Sequence, residues 1–217
     1  MIVMCPTRGR PGRASEMVAS LRATAVLAST RAVLAVDADD PSDYSGAGAE
    51  TLAVAGGSFP RAANEAARAL WDADPILGCV GDDFLFRTPG WDALVADALA
   101  TPGVAYGDDL LMGRALPTAV FMSSAIPRAL GWYALPTLRH LCADDAWRSV
   151  GEGIGALRYL PGVVIEHMHP VAGKAPVDAT YERGGMGDCH AADHAALDAW
   201  RAGPMRADVA RVMAALA

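Results

Sequence analysis

Ile2-Val3-Met4-Cys5-Pro6-Thr7-Arg8-Gly9-Arg10-Pro11 opens the chain and carries the first decision about its fold. Four apolar residues in a row, stopped by a proline, read as a short strand buried on both faces. The polar, glycine-containing turn after it leads to Pro11, which suits the first turn of a helix because its missing N–H has no intrahelical partner there anyway. Met17, Val18, Leu21 and Val26 then recur with roughly helical period. A buried strand feeding a helix is the first half of a parallel unit, so the next apolar runs should be strands beside this one.

They follow in order. Residues 32–36 form a second apolar run, closed by Asp37, Asp39, Asp40 and Pro41, and residues 51–54 a third, weaker one. Ser58 is a natural N-cap and, with Pro60, opens a helix expected to reach residue 73. Residues 76–80 give a fourth strand, ending in Gly81-Asp82-Asp83. This alternation predicts an α/β fold, a mostly parallel central sheet flanked by helices, in a single domain.

The second half is less regular. Pro89-Gly90 precedes a helix over 91–100, residues 104–106 and 119–122 read as strands, and a helix is expected over 138–150. Residues 157–160 and 163–165 read as two strands joined by a Pro161-Gly162 turn. The stretch 173–187 is polar and glycine-rich and reads as a mobile loop, followed by helical segments near 191–200 and 206–216. The domain is expected over 1–182, in two halves at 1–106 and 107–182, with a helical appendage at 183–217.

Composition narrows the function classes. The chain has 217 residues, 53% hydrophobic and 20% charged, enough for one self-supporting core. A net charge of −7 without a Lys/Arg run argues against a sequence-independent grip on nucleic acid, although Arg8, Arg10 and Arg13 cluster near the start. The four cysteines, Cys5, Cys79, Cys142 and Cys189, form no CxxC pair and read as reduced packing residues. No apolar run has the length of a membrane span, and a start directly in a strand reads as a cytoplasmic protein without membrane partners.

In an open parallel sheet, ligands bind beyond the carboxyl ends of the strands. That rule picks out Pro6, Thr7, Arg8 and Arg10 after the first strand, Asp37, Asp39 and Asp40 after the second, and Asp82 and Asp83 after the fourth. Arginine forks suit phosphate, while carboxylates suit Mg²⁺, Mn²⁺ or ribose hydroxyls. Together they fit a metal-bound nucleoside diphosphate. Asp144-Asp145 lies in an apolar helical context. Adjacent acids there point about 100° apart, so either one faces a cleft as a general base or both are surface charges. His167 and His169 share one side of a strand and are candidate metal or phosphate contacts. His190 and His194, one turn apart on a helix, read as a solvated face.

The order Cys5-Pro6-Thr7-Arg8-Gly9-Arg10-Pro11, Val36-Asp37-Ala38-Asp39-Asp40, Arg61-Ala62-Ala63-Asn64 and Val80-Gly81-Asp82-Asp83 resembles the nucleotide-binding half of GT-A glycosyltransferases, especially the inverting family 2-like group. The resemblance covers residues 2–182 in order and spacing. It implies a GT-A fold and a UDP-sugar donor held by Thr7, Arg8 and Asp37, with Arg61 and Asn64 near the base and phosphates. Ribose recognition falls to Asp82, because the first acid of the usual D-x-D is replaced by Gly81. Asp83 and a late histidine, His167 or His169, are implied as ligands of Mn²⁺ or Mg²⁺. Asp144-Asp145 resembles the acidic pair that supplies the base in inverting members, Asp145 by position. Residues 173–187, with Lys174, Asp178 and Tyr181, correspond to a loop that closes over the donor. The Gly-Asp-Asp form and small size also resemble bacteriophage glycosyltransferases, so the acceptor is expected to be a glycan or a modified nucleic acid base, in host cytoplasm if phage-encoded. A nucleotidyltransferase, a non-catalytic nucleotide-sugar binder and a structural or accessory factor remain alternatives.

Overall fold

The computed structural model describes residues 1–178 and 188–217. Its strands are β1 (Ile2–Thr7), β2 (Arg31–Asp37), β3 (Glu50–Val54), β4 (Ile76–Cys79), β5 (Phe84–Phe86), β6 (Val104–Asp108), β7 (Val120–Ser123) and β8 (Leu157–His167). The helices are α1 (Pro11–Thr24), α2 (Phe59–Leu70), α3 (Trp91–Ala98), α4 (Ala125–Leu130), α5 (Ala143–Gly153), α6 (Asp188–Ala202) and α7 (Pro204–Leu216). The strands join in the order β3-β2-β1-β4-β7-β6-β8-β5. β3, β2, β1 and β4 run parallel, β7 is antiparallel to β4 and β6, and β8 runs parallel to β6.

Two apolar layers cover the sheet, as strand alternation requires. Ile2 and Met4 of β1 face a core shared with α2, α4, α5, α6 and α7, while Val3 and Cys5 face one shared with α1 and α3. Pro11 begins α1 as expected, and Met17, Val18 and Leu21 form its buried face. Ser58 caps α2, its hydroxyl accepting from Arg61 N at 3.4 Å. The C-terminal helices send Leu197, Trp200 and Val212 into the first core, so α6 and α7 are packed against the sheet layer.

The second half departs from its sequence pattern in three places. The helix expected over 138–150 is α5, starting five residues later. Asp193 of α6 explains the delay: its buried carboxylate accepts from Arg139 N, His140 N and Leu141 N at 2.6–2.8 Å, fixing those N–H groups outside a helix. Helix α4 and strand β5 had no clear periodic signal. The two strands expected at 157–160 and 163–165 are one strand, with a bulge between the Gly107–Leu160 and Asp108–Val164 pairs. Gly107 permits it, since a Cβ there would sit 2.3 Å from the Val163 carbonyl oxygen.

Candidate active site

Strand direction alone gathers the candidate residues. β6 is antiparallel to β7, which is antiparallel to β4, so β6 and β8 run in the same sense as β1, β2 and β4. Five carboxyl ends therefore meet at one sheet edge: Thr7, Asp37, the turn at Asp82-Asp83, Asp108-Asp109 and His167. A cavity of about 650 Å³ lies at the opposite edge beside Asp74, Pro75 and Ser124. A second, about 400 Å³ and open, is lined by Asp37, Asp40, Tyr44 and Thr51 at the chemical edge.

On the β1–β2 side the arginines and carboxylates interlock. Asp82 is buried and accepts from Thr7 Oγ1 at 2.6 Å and from Arg10 Nη1 at 3.0 Å. Burial raises the Asp82 pKa, a trend that Thr7 and Arg10 oppose. Arg10 also donates to Asp178, and Arg13 approaches the other oxygen of that carboxylate at 3.8 Å. Burial works against the Arg10 charge, but Asp178 and Asp82 overcome it and hold the guanidinium charged. Arg8 bridges Asp37 at 3.1 Å and Asp39. Asp40 receives Gly9 N at 2.7 Å and Tyr44 Oη at 2.9 Å, so the β1 turn is pinned to the β2 turn. Gly56, at φ +68°, lies against the Asp37 carboxylate so closely that a Cβ would come within 2.2 Å of it. Pro6 stands half-buried between these contacts.

The metal candidates lie across the β4 turn. Asp83 Oδ2 is 3.4 Å from His167 Nε2. Pairing of β5 with β8 sets this approach: Phe84 is opposite His167 in the ladder and stacks on its ring at 4.1 Å between centroids. His167 Nδ1 is buried, with no hydrogen-bond partner among the described residues, and Asp109 Oδ2 is 3.9 Å away. His169 is half-buried and its Nδ1 accepts from Val171 N at 3.2 Å. Burial, then the neighbouring His167, lower its pKa. Among the described residues no three His, Cys, Asp or Glu side chains gather as a ready-made metal cage. Asp83 and His167 form instead a two-donor set with an orphaned ring nitrogen, which suits a cation whose remaining ligands come from phosphate and water.

The acidic pair on α5 is split by the helix as geometry requires. Asp144 is half-buried, and loss of surrounding water pushes its pKa up to about 7; His167 opposes the rise and Asp145 and Asp109 add to it. Asp145 turns to α6, where Arg201 Nη2 is 3.5 Å from its Oδ1. Asp144 is thus the acid that interacts with His167, while Arg201 of α6 engages Asp145, the acid that position in the sequence favours.

Two further expected residues do not converge on the site. Asn64 is buried, donating to Ala134 O at 2.7 Å and accepting from Tyr133 N at 2.6 Å and Ala134 N at 2.9 Å. It fastens the chain between α4 and α5 to α2, which leaves one amide N–H, in a buried position, without a partner among the described residues. Asn64→Ala should destabilise the fold by about 3 kcal/mol, since three buried backbone groups lose their partner. In thermal unfolding this corresponds to a drop of roughly 6–12 °C; an unchanged midpoint would remove Asn64 from the framework. Arg61 is 61% exposed and pairs with Glu65 one turn on, in the first turn of α2 at the sheet edge. Lys174 pairs with Glu166 at 2.8 Å; Tyr181 lies outside the described residues. Asp109 was missed, although the second Gly-Asp-Asp, at 107–109, was visible. His190 and His194 lie exposed, their Nε2 atoms 3.3 Å apart.

No protein-family profile and no curated protein sequence matches the chain. Solved structures do. The chain superposes on the 1–349 fragment of S. aureus TarS in complex with UDP with a TM-score of 0.60 at 14% identity, covering 76% of this chain and 58% of that one. Against a longer S. aureus TarS chain it covers 35% of that chain's length. Glucosyl-3-phosphoglycerate synthase from Mycobacterium tuberculosis, in complex with Mn²⁺, UDP and phosphoglyceric acid, gives 0.58 at 12% identity, covering 85% of this chain and 73% of that one. The chain shares the GT-A fold of these proteins and spans little more than half of the TarS fragment. No helix among the described residues is long and apolar enough to cross a membrane.

Proposed function

We propose that the chain is a glycosyltransferase that moves a sugar from a nucleoside diphosphate sugar, UDP-linked, to an acceptor hydroxyl with inversion, using Mn²⁺ or Mg²⁺. The observation that carries this reading is the meeting of the Asp83–His167 pair with Asp144 at one edge of a GT-A sheet. Both solved neighbours bind UDP, and one binds Mn²⁺ with it.

Asp37 and the Thr7–Asp82–Arg10 cluster receive the nucleoside, with Arg10 and Arg13 directed at the diphosphate. Asp83 and His167 would hold the cation, whose charge would offset that developing on the leaving diphosphate. Asp109 lies behind His167, its main-chain oxygen accepting from His167 N. Asp144 takes the proton of the acceptor hydroxyl as that oxygen bonds to the anomeric carbon. The bond from that carbon to the phosphate oxygen breaks, and the nucleoside diphosphate leaves with its electron pair. The acceptor is a glycan or a modified nucleic acid base.

A thermal-shift series with UDP, GDP, CDP and dTDP, each with and without Mn²⁺, tests the donor. UDP with Mn²⁺ should raise the midpoint more than either alone, with about 2.7 kcal/mol of stabilisation at a hundredfold excess over the dissociation constant. No shift with any nucleotide sinks the reading. A shift that Mn²⁺ does not change, with the donor left intact, favours a non-catalytic nucleotide-sugar binder.

A further inference from the structure

Leu110, Leu111 and Met112 follow Asp109 at the carboxyl edge and are 50%, 37% and 42% exposed. Three consecutive large apolar side chains in water, on a segment that touches the candidate site, require a cause. The backbone supplies it. Leu110 N donates to Asp108 Oδ1 at 2.9 Å, and Leu111 N, Met112 N and Gly113 N donate to Asp109 Oδ1 at 2.7–3.0 Å. Thr118 Oγ1 closes the loop on Asp109 Oδ2 at 2.7 Å. Four successive N–H groups turned onto two carboxylates force the side chains outward. Leu110 is held at φ 56°, in the left-handed region that a leucine rarely adopts. The loop is also joined to the candidate metal histidine, because His167 N donates to the Asp109 carbonyl at 3.0 Å.

The position of this shelf decides what meets it. The nucleotide residues lie over β1, β2 and β4, whereas the shelf lies after β6, beyond the Asp83 turn in the strand order and beside His167. A donor occupying the first half would present its anomeric carbon toward Asp144, and the shelf would lie beyond that carbon.

We infer that Leu110, Leu111 and Met112 form an acceptor subsite, and that the acceptor carries an apolar group next to its reacting hydroxyl. This rests on the glycosyltransferase reading and specifies its second substrate. Apolar area removed from water on the shelf favours such acceptors over purely polar ones.

The test compares methyl and octyl β-glucosides and β-galactosides, below the micellar concentration, as acceptors for the nucleotide sugar whose nucleotide shifts the melting midpoint. The wild type should prefer the octyl over the methyl compound by roughly tenfold or more in kcat/KM. Leu111→Ser/Met112→Ser should bring the ratio close to one, with Mn²⁺-dependent UDP binding and slow donor hydrolysis in water retained. Leu110→Gly relieves the left-handed strain, so it should fold at least as well as the wild type and still lose part of the preference. Equal use of the two acceptors, a preference that survives in both variants, or no use of the octyl series by a protein that binds and hydrolyses the donor would each overturn the inference. A protein that neither binds nor hydrolyses any donor overturns the underlying reading instead.

Discussion

Asp144→Asn should lower turnover by on the order of 10²–10⁴-fold, the range associated with loss of a general base. Stabilisation by UDP and Mn²⁺ should persist, because Asp144 is assigned to the acceptor side. The same substitution at Asp145 should have a small effect on chemistry, since that carboxylate is engaged by Arg201. A carboxyl with a pKa of about 7 gives the reaction a pH signature: transfer should fall about tenfold per pH unit below pH 7 and level off above it. Stability carries a second signature with a definite sign. The folded pKa lies above the ordinary value of 3.8, so the stabilisation that comes from the bound proton is complete below about pH 4 and is lost as pH rises to about 7. The wild type should therefore lose stability relative to Asp144→Asn across that window. Full turnover in Asp144→Asn, or loss only in Asp145→Asn, would return the base to the position that sequence order favours.

That disagreement shows where sequence reading stops. The first half was legible because β1, β2 and β4 are continuous apolar runs closed by a proline or acidic turn, and each helix has a local start signal, Pro11 for α1 and Ser58 for α2. Parallel order then puts Thr7, Asp37 and Asp83 on one edge without any knowledge of tertiary contacts. The second half is organised by side chains acting at long range. Asp193 delays α5 from fifty residues away, and a leucine in left-handed backbone leaves no mark in hydrophobic period. Asn64 matched a binding stretch by spacing, but only its contacts with Tyr133 and Ala134 reveal that its amide is engaged in the framework. Which of two adjacent acids faces the site depends on the phase of α5, and the expected helix began five residues too early. Asp109 had a signal, the repeated Gly-Asp-Asp, but its role depends on β6 running parallel to β4 through an intervening antiparallel strand.

Asp83→Asn should abolish the Mn²⁺ dependence of UDP binding and reduce transfer at least a thousandfold. The substitution keeps size and one carbonyl oxygen, and the Asp83 main-chain oxygen can still accept from Met168 N, which it does at 2.7 Å. Lost folding is therefore a poor explanation for the expected defect, and the melting midpoint without ligand checks it directly. His167→Ala would be a weaker test, because it also removes the ring stacked on Phe84. The magnitude follows from the donor set. With only Asp83 and His167 from the protein, losing the one anionic ligand leaves a lone imidazole, and a hard cation such as Mg²⁺ is held mainly by oxygen. The leaving diphosphate then carries its developing charge with no cation held against it, and removing stabilisation at such a point raises the barrier directly. Arg10→Ala supplies the contrast. It should weaken UDP binding with and without Mn²⁺, because the guanidinium is assigned to the phosphates and to the Asp82 cluster, not to the cation. Calorimetric titration of UDP into both variants, at zero and saturating Mn²⁺, separates the two roles. Were Asp83→Asn to keep the full Mn²⁺ enhancement, the cation would have to be held elsewhere along this edge, and Asp109 with His167 would become the pair to replace next.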